Sequence, residues 1–233
     1  MKNVSWFNQY KIIRQLILDS LNESRIYAKG RMVDVGCGTK PYANVFSDIV
    51  DEHIGIDYPS CISANKENKN VEAYSILPYL PFKNETFDTV LATEVMEHVA
   101  EPSLAFRDMN RILRKNGMLI LTTPQSWGLH ETPHDYYRYT RYGLKHLAEK
   151  NSFEVVYIKS LGGFFSLIGQ RLSSLVFYSI AINKKGNKRI ILLQGTAHIL
   201  CMFLQLSFTI LDRIFYIGSD TLGNIMVARK IAS

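Results

Sequence analysis

Cysteine is scarce in this chain of 233 residues: there are three, Cys37, Cys61 and Cys201. Their number is odd and their spacing wide. Neither a disulfide framework nor a Cys-x-x-Cys zinc pattern follows, and a reducing cytoplasm is the simplest setting. Glycine and proline are few, 14 and 7, and charged residues make up 21% against 47% hydrophobic. That balance excludes a disordered chain and is enough for one well-packed domain with an appendage. Internal repeats and low-complexity linkers are absent. The amino-terminal segment lacks the marks of a signal peptide, because Lys11, Arg14 and Asp19 interrupt its apolar residues and no small-residue cleavage site follows. A basic strip interleaved with aromatics is missing outside the later apolar segments, and so is any base-modifying motif. Nucleic acid is therefore not expected as a partner despite a net charge of +6. The densest basic run, Lys184-Lys185-Gly186-Asn187-Lys188-Arg189, lies between two apolar stretches. It suits anionic lipid headgroups better than a nucleic-acid groove.

What is present is an alternation of strands and helices. Trp6, Tyr10, Ile13, Ile17 and Leu21 recur at helical steps and predict an amphipathic helix over 6–21. Short apolar runs predict strands at 31–35, 53–57, 71–75, 87–93, 118–123 and 153–159. Helices are expected at 39–47, from Pro102 to a stop at Arg114-Lys115-Asn116-Gly117, and over 142–151. Such alternation argues for an α/β fold with a mainly parallel sheet and helices on both faces. Beyond Lys159 the texture changes to two strongly apolar segments, 161–182 and 190–217, before a last strand at 224–230. The expected organisation is an N-terminal helix (1–29), a Rossmann-like core (30–160), a hydrophobic helical hairpin (161–218) and a strand returning to the core sheet (219–233).

The chemistry concentrates at Val33-Asp34-Val35-Gly36-Cys37-Gly38-Thr39, a buried strand running into a glycine turn. Glycines there let the backbone approach a ligand, at the carboxyl edge where such sheets bind them. Asp57 ends the next strand about twenty residues later, where a carboxylate can hold a ribose. A nicotinamide dinucleotide is disfavoured, since the third glycine of its fingerprint is replaced by Pro41. Asp34, two residues before the first glycine, would also repel a pyrophosphate and suits a cationic amino group.

These residues resemble those of the class I S-adenosylmethionine-dependent methyltransferases, in particular the small bacterial methyltransferase type 11 group. Asp34-x-Gly36-x-Gly38 is similar to that family's first motif and Gly55-Ile56-Asp57 to its second acidic position. Leu80-Pro81-Phe82 with Thr86-Phe87-Asp88 matches the motif leading into strand four, and Glu94-Val95-Met96-Glu97-His98-Val99 the segment after it. The resemblance spans roughly 30–159. It implies a Rossmann-like methyltransferase fold with a seven-stranded sheet whose last strand is reversed, and S-adenosyl-L-methionine as cofactor. It further implies that Asp34, Gly36, Cys37, Gly38, Asp57, Tyr58, Thr93, Glu94 and His98 lie at the cofactor. Where the family usually has an acidic residue near the adenine amino group this chain has Ile76, so a backbone group there would serve.

Strand five is followed by a loop, 128–140, dense in His, Asp, Tyr and Arg. A similar HE-x-PHD-Y-x-RYT pattern occurs in methyltransferases of bacterial surface-polysaccharide gene clusters. Methyl transfer is an in-line displacement in which positioning dominates, and a hydroxyl acceptor benefits from a general base. His134, then His130, are the candidate catalytic bases, with Asp135 orienting one of them and Tyr137 or Arg138 binding substrate. These side chains can equally be capping groups of an ordered loop. No metal site is expected, because a His130–His134 pair spanning Pro133 has no helical register.

The segment 190–217 is long enough to span a bilayer, yet Gln194, His198, Gln205 and Asp212 form one polar stripe along it. Two crossings would also put the basic run on the far side, against the positive-inside tendency. A hairpin lying in the membrane interface is the expectation, with a homodimer interface, an active-site cover and true spanning as alternatives. The expected function is methyl transfer to a saccharide or lipid-linked saccharide hydroxyl, in the cytoplasm or peripherally on the inner membrane face. Methylation of a quinone or other lipid-like molecule is the second reading, and a non-catalytic membrane- or partner-binding protein the third.

Overall fold

The computed structural model describes residues 4–58, 71–181 and 188–231. Cys61 and Lys184-Lys185-Gly186-Asn187 of the basic run lie outside them. The chain forms two compact units, Ser20–Lys159 with Gly223–Ser233, and Met1–Asp19 with Ser160–Leu222.

The first unit is built on one seven-stranded sheet. Its strands are β1 (Arg31–Val35), β2 (Glu52–Asp57), β3 (Ala73–Tyr74), β4 (Phe87–Thr93), β5 (Leu113–Pro124), β6 (Phe153–Leu161) and β7 (Gly223–Lys230). They lie in the order β3-β2-β1-β4-β5-β7-β6. β1 pairs in parallel with both β2 and β4, and β4 in parallel with β5. β7 runs antiparallel to β5, from Met118↔Arg229 to Pro124↔Gly223. The central strands are apolar on both faces, as a sheet covered by helices on each side requires. Met32, Val33, Val90, Leu91, Leu119, Leu121 and Met226 are all fully buried. α2 (Ala43–Phe46), α3 (Pro102–Ile112) and α4 (Arg141–Lys150) cover it, contributing Phe46, Phe106, Met109 and Leu144 to the interior.

The strand order reverses at β1 and β4, so a crevice lies outside their carboxyl ends. Gly36, immediately after β1, has φ +68°, and a Cβ there would come within 2.4 Å of Val95 Cγ2 in the segment after β4. The two loops therefore abut at the mouth of the crevice.

One expectation is corrected here. Arg114-Lys115-Asn116-Gly117 does not finish a helix. α3 ends at Ile112, and Leu113 is already extended and fully buried opposite Phe87. Burying Leu113 in the sheet draws the chain out of the helix. Residues 114–117 then bulge, with Asn116 at φ 59°, until Met118 resumes the pairing opposite Thr89.

The second unit contains the helical hairpin. α1 (Lys11–Ser24) begins in it and continues into the sheet-bearing unit, so the division between the compact units falls inside this helix, at Asp19–Ser20. The helix also starts later than its apolar spacing predicts. Asn8 Oδ1 accepts the Tyr10 backbone N–H at 2.8 Å, a local turn that competes with helix over 6–10. α5 (Phe164–Ala181) and α6 (Lys188–Ile214) pack closely. A Cβ at Gly169 would lie 2.4 Å from Phe208 Cβ. Small and polar residues line the seam: Ser166, Gly169, Gln170 and Ser173 face Ala197, Cys201, Gln205 and Asp212. Asp212 accepts the Gly163 N–H at 2.9 Å and the Ser166 hydroxyl at 2.7 Å. Gln170 and Gln205 donate to the carbonyls of Gln9 and Asn8 at 2.8 and 3.2 Å.

Gln205 and Asp212 of the polar stripe thus point inward. The outward face of α6 carries Ile199, Phe203, Leu206, Ile210 and Ile214, with Phe203 64% exposed. One stretch of it, Gly195–Ile214, is long and apolar enough to cross a membrane by length and composition, with 22% of that window buried.

Candidate active site

The loop after β1 takes its shape from backbone hydrogen bonds. The Gly36 and Cys37 N–H groups both donate to the Ile56 carbonyl at 2.8 and 3.0 Å, drawing the turn against β2. Gly36 and Gly38 have φ +68° and +54°, which suit glycine. A Cβ on Gly38 would meet nothing within 4 Å, so the backbone there borders open space. The Gly38 N–H donates to Asp57 Oδ2 at 3.1 Å, and the Tyr58 N–H to Asp57 Oδ1 at 2.7 Å. Asp57 thus ends β2 with its carboxylate fixed beside the glycine turn. Asp34 is buried in β1; His53 Nε2 lies 3.3 Å from its Oδ2, while Oδ1 has no hydrogen-bond partner. Burial pushes the Asp34 carboxyl above the usual carboxylate range. Burial also raises the Cys37 thiol to about 12, which keeps it neutral.

A part of this loop has no signal in the motifs. Lys40, at φ 52°, reaches the Glu72 carboxylate at 2.6 and 2.7 Å, and Glu72 accepts the Gly55 N–H at 2.5 Å. A Cβ at Gly55 would strike Lys40 Cε at 2.2 Å, so this glycine is a space requirement of the lysine path. Tyr58 and Ile76 are half exposed, and Ile76 pairs in a short antiparallel bridge with Tyr79.

Across the crevice mouth, Thr93 ends β4 and Glu94 turns the chain with φ 54°. Glu94 as a residue is partly accessible, but its Oε1 is shut off from solvent and unpartnered. Burial and the neighbouring Glu97 charge push its carboxyl up to about 8. Glu97 is wholly buried and neither of its carboxylate oxygens has a hydrogen-bond partner. His98 and His130 stand over it, each with Nε2 3.8 Å from Glu97 Oε1. Their rings meet edge to face, with centroids 4.7 Å apart. The facing Glu97 carboxylate holds His130 protonated to higher pH than an ordinary imidazole.

The loop after β5 folds back onto this segment. The Tyr136 and Tyr137 N–H groups donate to the Glu97 carbonyl at 2.8 and 3.2 Å, and the Tyr139 hydroxyl to the Met96 carbonyl at 3.0 Å. Asp135 accepts the His130 N–H at 2.9 Å and lies 3.4 Å from its Nδ1, so His130, not His134, is the histidine it orients. Hydrogen bonds from Arg138 hold the Asp135 carboxyl well below its usual range. His134 is exposed; its Nδ1 pairs with the Tyr136 hydroxyl at 3.0 Å.

Tyr137 and Arg138, expected at the substrate, are both engaged within the loop. A guanidinium has five N–H donors. Those of Arg138 reach the Trp127, Gly128 and Tyr137 carbonyls and both Asp135 oxygens, at 2.6–3.2 Å. The Tyr137 hydroxyl donates to the Ala100 carbonyl at 3.1 Å. Both side chains close the loop. The pairing of His130 with His134 is replaced by Glu97, His98 and His130, whose ligating atoms all lie within 4.8 Å of one another. Glu97 looks like one more helix-start acid in the sequence; only the return of residue 130 gives it a partner.

Residues 33–121 match the family model for a methyltransferase domain. An uncharacterised protein of Methanocaldococcus jannaschii is 28% identical over 117 residues, 50% of this chain and 54% of its own length. A demethylmenaquinone methyltransferase of Staphylococcus haemolyticus is 25% identical over 129 residues, 52% of this chain and 53% of its own. The chain thus spans about half the length of these curated relatives. Among solved structures, a Haemonchus contortus phosphoethanolamine N-methyltransferase in complex with S-adenosyl-L-methionine superimposes with TM-score 0.53 at 14% identity. That match covers 98% of this chain and 60% of the other.

Proposed function

Because the domain over residues 33–121 belongs to the class I S-adenosylmethionine-dependent methyltransferases, we propose that this chain transfers a methyl group from S-adenosylmethionine to a saccharide hydroxyl, free or lipid-linked. The observation that carries the cofactor half is the unpartnered, buried Asp34 Oδ1 on the strand that leads into the open backbone at Gly38. An amino group donating to that oxygen satisfies it. Asp57, oriented by the Gly38 and Tyr58 N–H groups, ends β2 beside the glycine turn, where its carboxylate would meet a ribose diol. Gly36, Cys37, Gly38, Tyr58, Ile76, Thr93, Glu94 and His98 complete the candidate rim. When bound, the cofactor supplies an electrophilic methyl group on a sulfonium.

This chain's part is to line up the acceptor oxygen and accommodate its proton. The Glu97–His98–His130 cluster is the group suited to that task. It combines a wholly buried carboxylate with two partly accessible imidazoles and is ordered from behind by Asp135. His130 is favoured over His134, whose side chain is exposed and turned to Tyr136. A polar acceptor suits this surface better than an apolar ring. A quinone remains the second reading, on the similarity to a demethylmenaquinone methyltransferase.

The outward apolar face of α6 supports a peripheral membrane location. A soluble hairpin buries its apolar side, whereas here small polar residues fill the seam. The interspersed basic run of the sequence suits anionic headgroups. An acceptor carried on a lipid would be met at that surface.

Thermal unfolding with and without S-adenosylmethionine and S-adenosylhomocysteine tests the cofactor. Ligand at a hundred times its dissociation constant stabilises by about 2.7 kcal/mol. The expected result is a raised melting temperature in the wild type and a smaller rise in Asp57→Ala. No rise in folded wild type at millimolar ligand overturns the reading. With methyl-labelled cofactor and membrane extract, label in solvent-extractable material that mild acid releases to water indicates a lipid-linked saccharide. Label that resists acid in the organic phase indicates the quinone reading.

A further inference from the structure

We infer that Glu97, His98 and His130 form a binding site for a divalent transition-metal ion. His98 Nδ1 lies 2.7 Å from the His134 carbonyl oxygen, which can only accept, so Nδ1 carries the hydrogen. His130 Nδ1 lies 3.2 Å from the Gly128 carbonyl and 3.4 Å from Asp135 Oδ2, both acceptors. In its neutral form, the one a metal ion would bind, each ring therefore presents a bare lone pair at Nε2. Both lone pairs face Glu97 Oε1 at 3.8 Å, an oxygen that is itself buried and unpartnered. Two lone pairs and a carboxylate converging on one point repel one another unless something positive sits between them. A single proton on one ring satisfies one pair at most, at a distance too long for a hydrogen bond. A metal ion satisfies all three at once.

The donor set and the supporting contacts agree. Two imidazoles and one carboxylate, with further positions open, are the ligands of catalytic zinc and of non-haem iron sites. Zinc bonds of about 2.0–2.1 Å put tetrahedral ligand atoms roughly 3.4 Å apart. The present separations, 3.8 Å for two pairs and all within 4.8 Å, close to that spacing with each side chain moving by less than about an ångström. Both histidines have the backing a metal-bound imidazole uses, an Nδ1–H given to a carbonyl or carboxylate. Glu131 Oε2, at the rim, is 3.9 Å from His98 Nε2 and adds negative charge. If the proposed methyl transfer to a hydroxyl holds, an ion here would bind and acidify the acceptor oxygen, relieving His130 of acting as base. That role rests on the proposed function; the binding of the ion does not.

The test uses the full chain stripped with chelator and titrated with Zn2+, Mn2+ and Co2+ in the absence of S-adenosylmethionine. Bound metal is counted after desalting, and Co2+ absorption reports the coordination. The expected result is one ion per chain in the wild type and at least a tenfold weaker affinity in both Glu97→Gln and His130→Gln. His134→Gln should bind like wild type. Circular dichroism of each variant separates loss of ligand from loss of fold. No stoichiometric ion in folded wild type, or equal binding in Glu97→Gln and His130→Gln, overturns the site. Because no cofactor is present, a negative result here is distinct from failure of the methyltransferase reading, which the melting shift decides.

Discussion

At the scale of single residues, the most consequential group is a carboxyl held away from water. Glu94 in the folded protein keeps its proton up to about pH 8, whereas in the unfolded chain it titrates near 4.5. The folded state therefore binds more protons across that window, and stability falls as pH rises through it. Below about 4.5 both states are protonated and the contribution is whole; above about 8 both are ionised and the loss is complete. One proton corresponds to a slope of about 1.4 kcal/mol per pH unit. In metal-free protein, Glu94→Gln should flatten the decline between pH 5 and 8, as read from denaturant midpoints, and leave it unchanged only if Glu94 is not the group responsible. The sequence makes half of this site legible. Asp34, Gly36, Gly38 and Asp57 are recognisable because their task is set by a local turn at a strand end. Glu97 is not, because its meaning depends on a histidine that the fold returns from residue 130. The structural part of Arg138 is hidden for the same reason: in sequence it reads as a binding residue, while the fold also engages all five of its donors within its own loop.

At the scale of elements, the hairpin turns on one close approach. Glycine inside a helix is ordinarily worth replacing, since alanine gains about 1 kcal/mol in propensity. At Gly169 the new Cβ would sit 2.4 Å from Phe208 Cβ, an atom anchored to its backbone, so α5 and α6 must separate. Overpacking of this kind costs about 1–3 kcal/mol and outweighs the propensity gain. Gly169→Ala should therefore lower amide-exchange protection in α5. Gly195→Ala in α6, with nothing within 4 Å of the added carbon, should raise protection locally. Equal effects at the two positions would refute the packing argument. The alternation of strands and helices is legible from apolar runs, and so is the reversed last strand through the family resemblance. The end of α3 is not, because Arg114-Lys115-Asn116-Gly117 carries every local mark of a helix stop. What decides is the burial of Leu113 opposite Phe87, a long-range event.

At the scale of the whole molecule, the question is what covers the apolar face of α6. The periodicity of Gln205 and Asp212 is visible in the sequence, but not which way the stripe points. The fold turns it inward, and Ile199, Phe203, Leu206, Ile210 and Ile214 outward. Exposed apolar area of this kind marks an interaction surface. If the surface is a bilayer interface, the protein should float with vesicles containing anionic phosphatidylglycerol, and less so at high salt, where attraction of the basic run to headgroups is screened. Phe203→Gln combined with Ile210→Gln removes apolar area at exposed positions, where substitutions rarely cost more than about 0.5 kcal/mol. It should leave the fold intact and move most of the protein to the unbound fraction. A wild type that stays unbound, but forms a dimer that these same changes dissociate, would assign the face to a second copy of the chain. In that outcome the methyl acceptor need not be a lipid, and a free saccharide becomes the better expectation for the same site.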